Sequence, residues 1–251
     1  MRAGYVREMS VGEVLRNSVL IYRENFLPIF LVYLLPNLPG TILIALGLLH
    51  KSFALLVPGY VLLFGGGLIS YIAVTFVVSD ACVGNLPDVK RSFARTFGSL
   101  GDLMGVSLLQ ILLIAAGLFA LLIPGILFTI WFAFAPIIVI LEGRGGIEAL
   151  KRSKALTKGF FWRNLAIALF VGIMLFGSYL VVFALGGIGG YAMAALGISA
   201  EVVQAVGSTL GLLGVALTYP LLFVSIVLAY YDLRARKEQY DVLVLASELG
   251  R

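Results

Sequence analysis

Few residues in this chain could support chemistry. One cysteine, Cys82, and one histidine, His50, exclude a Cys/His zinc site, a two-histidine metal motif and a disulfide within the chain. A catalytic triad would have to use His50, which lies in a short polar break between two apolar runs. No catalytic, cofactor-binding or metal-ligating residue is expected. Asp80, Asp102, Glu142 and Asp232 stand at the ends of apolar runs near Arg and Lys, a setting for structural ion pairs rather than for acid–base catalysis. Two groupings remain. Arg144, Lys151, Arg152, Lys154, Lys158 and Arg163 form a basic cluster of the density that attracts anionic headgroups at about 1 kcal/mol per residue. Asn37, between Pro36 and Pro39, and Tyr219, before Pro220, are polar side chains beside helix-disturbing residues inside apolar runs.

The elements that must position these groups are membrane helices. Of 251 residues, 61% are hydrophobic and only 12% charged, and the mean hydropathy is +1.07. Soluble domains have roughly 45–50% apolar and about 25% charged residues, so a water-soluble globule is excluded. Runs at 26–49, 53–79, 103–122, 125–141, 164–185 and about 205–230 contain no Asp, Glu, Lys or Arg, and a hydrocarbon layer of ~30 Å needs about 20 such residues. The runs are continuous rather than alternating, which predicts helices and not a barrel. The expected fold is an all-α polytopic protein, a single membrane domain over 1–251 with six transmembrane helices. Its fourth span carries Pro136, Pro124 and Gly125 suggest a tight outer turn, and residues 186–204 read as the fifth connection.

Orientation follows from charge. Arg2, Arg7, Arg16 and Arg23 precede the first run, and Lys90, Arg91 and Arg95 follow the second. The basic cluster follows the fourth, and Arg234, Arg236, Lys237 and Arg251 form the tail. Of the 18 basic residues only Lys51 falls elsewhere. Basic residues mark the cytoplasmic side, so an inner-membrane location with both termini cytoplasmic is expected. The first run lacks the features of a cleaved signal and should be retained as an anchor. The net charge of +5 then signals topology and acidic lipid, not nucleic acid.

The cytoplasmic segments share a pattern: Leu15-Arg16-Asn17-Ser18, Val89-Lys90-Arg91-Ser92 and Leu150-Lys151-Arg152-Ser153. It suggests three units, at about 10–79, 80–141 and 142–231, each an interfacial amphipathic helix followed by a helical hairpin. In the first, Ser10 and Glu13 fit a capping box, and Val11, Val14, Leu15, Ser18, Val19, Tyr22 and Phe26 fall on one face with Asn17 largely off it. In the second, Asn85 is placed to cap, Pro87 to sit in the first turn, and Val89, Phe93, Phe97 and Leu100 to form the stripe. In the third, Gly145-Gly146 ends the preceding span, and Ile147, Leu150, Leu156 and Phe160 are apolar. Residues 232–251 read as an amphipathic cytoplasmic tail.

Two prolines near mid-bilayer are expected to break the first span, and Thr218-Tyr219-Pro220 lies at similar depth in the last. A transport site between them, using Asn37 and Tyr219, is one reading; a packing kink is the other. The glycines at 65–67, 172, 177, 186–190, 207, 211 and 214 read as packing surfaces, internal or oligomeric.

Three stretches carry a family resemblance: Ser10-Val-Gly-Glu-Val-Leu-Arg with Ile21-Tyr-Arg-Glu-Asn-Phe26; Glu142-Gly-Arg-Gly-Gly-Ile-Glu-Ala-Leu-Lys-Arg-Ser153 running to Phe161-Trp-Arg163; and Tyr230-Tyr-Asp-Leu-Arg234 before Glu238. Together they resemble the bacterial membrane-domain family named after the membrane portion of glycerophosphoryl diester phosphodiesterases. The resemblance implies a multi-pass protein. It also implies that hydrolysis in fused members belongs to a separate soluble barrel domain, which nothing here matches, and it supplies no site residues. The resulting expectation is a non-enzymatic scaffold or accessory module without cofactor, engaging membrane lipids, anionic ones in particular, and a membrane protein partner or a second copy. The alternative is a transporter or lipid-handling carrier using the mid-membrane site.

Overall fold

Inside hydrocarbon every backbone N–H and C=O must be bonded within the protein. The computed structural model meets this with helices alone: residues 5–249, Leu121 excepted, are described, and among them eleven helices and no strand occur. Arg2 and Arg251 lie outside the described residues. In chain order the helices are α1 (Val11–Glu24), α2 (Phe26–Leu49), α3 (Phe53–Val83), α4 (Val89–Thr96), α5 (Leu100–Ala120), α6 (Leu122–Phe132), α7 (Ala135–Glu142), α8 (Gly146–Thr157), α9 (Phe161–Ala195), α10 (Ala200–Glu238) and α11 (Val242–Leu249). Six segments are long and apolar enough to cross a membrane: α2, α3, α5, α6 joined to α7, α9 and α10. The chain is a multi-pass membrane protein. A short polar helix precedes each pair of spans, α1 before α2 and α3, α4 before α5 to α7, and α8 before α9 and α10.

The hairpin of α2 and α3 is zipped by glycines. A side chain on Gly40 would lie 2.6 Å from the Leu63 amide nitrogen, one on Gly59 would lie 2.8 Å from Ile44, and one on Gly66 would overlap the Pro36 carbonyl. Such residues let helix backbones touch, which replaces the hydrophobic drive that is missing between helices in lipid. Gly117 and Gly125 do the same for α5 and α6, and Gly214 for α10 against Val182 of α9. Other glycines pack against nothing among the described residues. Gly65, Gly67, Gly172, Gly177, Gly186, Gly187, Gly189, Gly207 and Gly211 have open space where a Cβ would be.

The expected break in the first span is absent: α2 runs unbroken with Pro36 and Pro39 inside it. Polar side chains reinforce the helix around the prolines. The Asn37 amide and the Ser70 hydroxyl both donate to the Tyr33 carbonyl, at 2.7 and 3.0 Å, and Thr41 donates to the Asn37 carbonyl at 2.9 Å. Each proline withdraws the donor from the carbonyl four residues back, Val32 and Leu35, and these bonds brace the turns beside them. In α10, also unbroken, Thr218 donates to the Gly214 carbonyl, and Tyr22 of α1 donates to the Leu217 carbonyl at 2.6 Å, three residues before Pro220. Burial raises the Tyr22 phenol to about 12, so it keeps the proton it donates.

Other boundaries shift. Pro124 and Gly125 lie within α6, not in an outer turn, and proline is tolerated in a first helical turn. Residues 186–195 continue α9, whose 35 residues extend about 52 Å at 1.5 Å per residue, well beyond a ~30 Å hydrocarbon layer. Asp88, not Asn85, caps α4, accepting from the Arg91 amide at 3.1 Å. In that unit Phe97 is exposed while Ser92 and Thr96 are buried, and Ile147 of α8 is likewise exposed. Residues 232–238 of the expected tail are helical and continuous with the last span, since α10 runs to Glu238. On α1 the buried face is Val14, Asn17, Ser18 and Ile21, with Val19 and Phe26 exposed. Asn17 turns inward because its amide meets the Met9 sulfur at 3.4 Å.

Two measurements check this account. Gly66→Ala should destabilise the detergent-solubilised protein by about 1–3 kcal/mol through overpacking, whereas Gly67→Ala should leave its melting unchanged or slightly higher. The capping box of α1 is formed, with the Ser10 amide donating to Glu13 at 2.8 Å and the Glu13 amide to the Ser10 hydroxyl at 3.2 Å. The Ser10 amide, then the Arg7 guanidinium, lower the Glu13 carboxyl from 4.5 to about 2. A depressed carboxylate stabilises above its unfolded value and loses that contribution as the pH falls through its folded one. A carbon-detected NMR titration should place the Glu13 midpoint near pH 2, and acid loosening of α1 between pH 4.5 and 2 should be absent in Glu13→Gln.

Candidate functional site

The chemistry-bearing residues gather at one end of the bundle. There α10 carries Asp232 past the apolar run, and its side chain is fully buried. The Met9 amide donates to Oδ1 at 2.6 Å, and Arg236, one turn on, donates to both oxygens at 3.2 and 3.3 Å. Nη1 of Arg163, from α9, lies 2.8 Å from Oδ2 as an ionic contact rather than an aligned hydrogen bond. Both arginines also donate to the Met9 carbonyl, at 2.6 and 2.7 Å. Arg236 reaches Glu8 at 3.1 Å, so two carboxylates face two guanidiniums. A buried carboxylate is sustained only by such pairing.

A second network surrounds Glu142, at the end of α7. It accepts from Arg152 of α8 at 3.0 and 3.1 Å and from the Tyr230 hydroxyl at 2.9 Å, and lies 3.1 Å from Arg144. Arg152 continues to Glu238 at 2.5 Å, and Arg234 pairs with Glu238 at 3.0 Å and Glu248 at 3.4 Å. Arg234 also lies 3.6 Å over the Tyr240 ring. Burial opposes the charge on Arg152, but its hydrogen bonds to Glu238 and Glu142 outweigh that and raise its pKa. These six charged groups line an open pocket of about 540 Å³. Among the described residues its three carboxylates balance its three guanidiniums, so they give it no excess positive charge to concentrate anions. A third pair, Asp80 with Arg95 at 3.5 Å, joins α3 to α4, and Arg95 donates onward to the Leu249 carbonyl of α11. Burial raises the Tyr240 phenol, and its hydrogen bond to Glu248 at 2.6 Å adds to the effect.

The basic cluster therefore divides. Arg152 and Arg163 turn inward and are consumed by Glu142, Glu238 and Asp232, and Arg144 is half-exposed beside Glu142. Lys151, Lys154 and Lys158 are exposed on the opposite face of α8 from its buried Ala149, Leu150, Ser153 and Leu156. Lys154 lies 4.2 Å from the centre of the Trp131 ring. Ser153, which the sequence marked only as part of a repeated pattern, has a specific task. Pro136 separates α6 from α7, and the Ser153 hydroxyl fills that gap by donating to the Trp131 carbonyl at 2.7 Å and accepting from the Phe134 amide at 3.2 Å. Ser18, Ser92 and Ser153, in the same place in each pattern, are all buried.

Asn37 and Tyr219 lie on neighbouring helices with Tyr33 between them, its ring 6.2 Å from that of Tyr219. Asn37 is buried, donating to the Tyr33 carbonyl and the Ser70 hydroxyl. Tyr219 faces a groove of about 430 Å³ between α9 and α10 that Asn37 does not line. Residue pattern gave no hint of Gln110 or Asn164, which share another cavity with Ser225; single amides within apolar runs were the only available signal.

Removing the charge of Asp232 leaves two guanidiniums facing each other beside a buried carbonyl. Asp232→Asn should cost about 3–5 kcal/mol in equilibrium unfolding, while Lys151→Gln, at the same end but exposed, should stay within about 0.5 kcal/mol.

Comparison with known proteins finds no matching family model, no matching curated protein and no matching solved structure.

Proposed function

We propose that this chain is a non-enzymatic scaffold or accessory module of a bacterial inner membrane, with both termini cytoplasmic, that engages anionic lipid headgroups through α8. The reading takes the short helices α1, α4 and α8 as three copies of one interfacial unit, in keeping with the family resemblance noted above. A membrane protein partner or a second copy of the chain would assemble on this lipid-anchored platform.

One observation carries the proposal. The arginines of α8 and its flanks are used internally, whereas Lys151, Lys154 and Lys158 stay exposed on one face of a helix that is fixed by Ser153 and Arg152. Lysine is a compact, strongly hydrated cation on a flexible stem, suited to a diffuse layer of phosphates; arginine suits fixed bidentate pairs. Lysines near a membrane surface contribute about 1 kcal/mol each toward anionic lipid. Their attraction is additive and needs no pocket.

The test is lipid selectivity of the intact protein. With Lys151, Lys154 and Lys158 all replaced by Gln, preference for phosphatidylglycerol over phosphatidylcholine, read from co-purified lipid and from lipid exchange in nanodiscs, should fall by up to about 100-fold. Melting should be preserved. Unchanged selectivity in a folded triple variant would overturn the proposal.

A further inference from the structure

A cavity of about 290 Å³ lies where α5, α6, α9 and α10 meet. Its lining includes four polar side chains, Gln110, Thr129, Asn164 and Ser225; the remainder is apolar and none of it is charged. Thr129 donates to the Gly125 carbonyl at 2.9 Å and Ser225 to the Leu221 carbonyl at 2.8 Å, so both present only acceptor capacity to the cavity. Asn164 differs from them. It is 5% exposed, and neither its amide nitrogen nor its amide oxygen has a hydrogen-bond partner among the described residues. A buried polar group without a partner costs about 1–3 kcal/mol, and membrane interiors punish it further. Asn37 shows how this chain satisfies an intramembrane amide with its own backbone and Ser70. At Asn164 the described residues supply no such partner.

The position and opening of the cavity define what fits. Asn164 directly follows Arg163, which binds Asp232, so the polar end of the cavity lies at the charged boundary of the bundle. Ser225 is seven residues before Asp232 on α10, so the apolar part extends about 10 Å along the bundle from its charged end at 1.5 Å per residue. Thr129, Ala168 and Gly172 are exposed at the mouth, and a Cβ on Gly172 would meet open space. The opening thus faces the lipid between α6 and α9.

We propose that this cavity binds the head of a neutral, hydroxyl-bearing lipid, a long-chain alcohol or acylglycerol, with its hydroxyl on Asn164 and its chain leaving between α6 and α9. An alcohol both donates and accepts, which matches the two faces of the Asn164 amide and the acceptors on Thr129 and Ser225. A phosphate or carboxylate head would find no cation in the lining and would be strongly disfavoured at this depth. The lateral mouth and apolar walls select a lipid over a water-soluble alcohol. This site is separate from the lysines of α8, and either proposal can fail without the other.

The probe is 1-monooleoylglycerol, compared with methyl oleate, which has the same chain and no hydroxyl, by native mass spectrometry of the intact detergent-solubilised protein. Wild type should retain one monooleoylglycerol at least about tenfold more tightly than methyl oleate, as one hydrogen bond at a desolvated site implies. Asn164→Leu should melt no lower than wild type and lose that preference; Gly172→Phe, which fills the mouth without a clash, should weaken both lipids. Equal retention of the two lipids by wild type would overturn the proposal, as would an unchanged preference in Asn164→Leu. Should Asn164→Leu fail to fold, Gly172→Phe decides: weakened monooleoylglycerol binding supports the site, and wild-type binding overturns it.

Discussion

The structure depends on one buried carboxylate. Asp232 lies at the end of the longest helix, and its two oxygens hold Arg163 of α9, Arg236 of its own helix and the Met9 amide. Helices in lipid gain little from mutual hydrophobic burial, because lipid tails are as apolar as leucine. Polar contacts at the bundle end must therefore supply the specificity that a soluble core obtains from shape. Asp232 fixes where the N-terminal arm crosses α9 and α10, and hence where α1 lies. With α1 placed, Tyr22 reaches the Leu217 carbonyl and supports the turn of α10 that Pro220 disturbs.

Charge balance is the second consequence. Asp232 and Glu8 face Arg163 and Arg236; Glu142, Glu238 and Glu248 face Arg144, Arg152 and Arg234; Asp80 faces Arg95. Each group is neutral within itself. The excess charge of the chain is thereby moved onto exposed side chains such as Lys151, Lys154 and Lys158, outside the networks. Guanidiniums make the fixed internal links and ammoniums make the outer surface, a division that follows from the geometry of the two cations.

What the sequence made legible was local or compositional. The bounds of α2 and the capping box at Ser10 and Glu13 follow from neighbouring residues or from solvation alone. What it concealed depended on partners far away in the chain. Asp232 and Met9 are separated by 223 residues, so burial of that carboxylate cannot be read from its neighbours. Asn17 was misplaced on α1 because a polar residue is assigned to the outer face unless its inward partner is known. The prolines misled for a related reason: Pro36 and Pro39 predict a break from local sequence alone, whereas α2 continues through both, packed against α3 with Ser70 bonded to the Tyr33 carbonyl. Of the six cations in the basic cluster, periodicity could not say which would be spent on Glu142 and Asp232.

Asn37 and Asn164 sharpen this lesson because they are the same residue type in the same solvent. Both are nine-tenths buried or more, and both lie in helices that cross the membrane. Asn37 sits against a glycine-lined crossing where α3 is close enough to offer Ser70, and its amide becomes part of the hairpin. Asn164 lines a cavity between α5, α6, α9 and α10, and its amide has no hydrogen-bond partner among the described residues. The partners a neighbouring helix offers, not residue identity, distinguish the two. A polar residue in an apolar run signals function only after those partners are known.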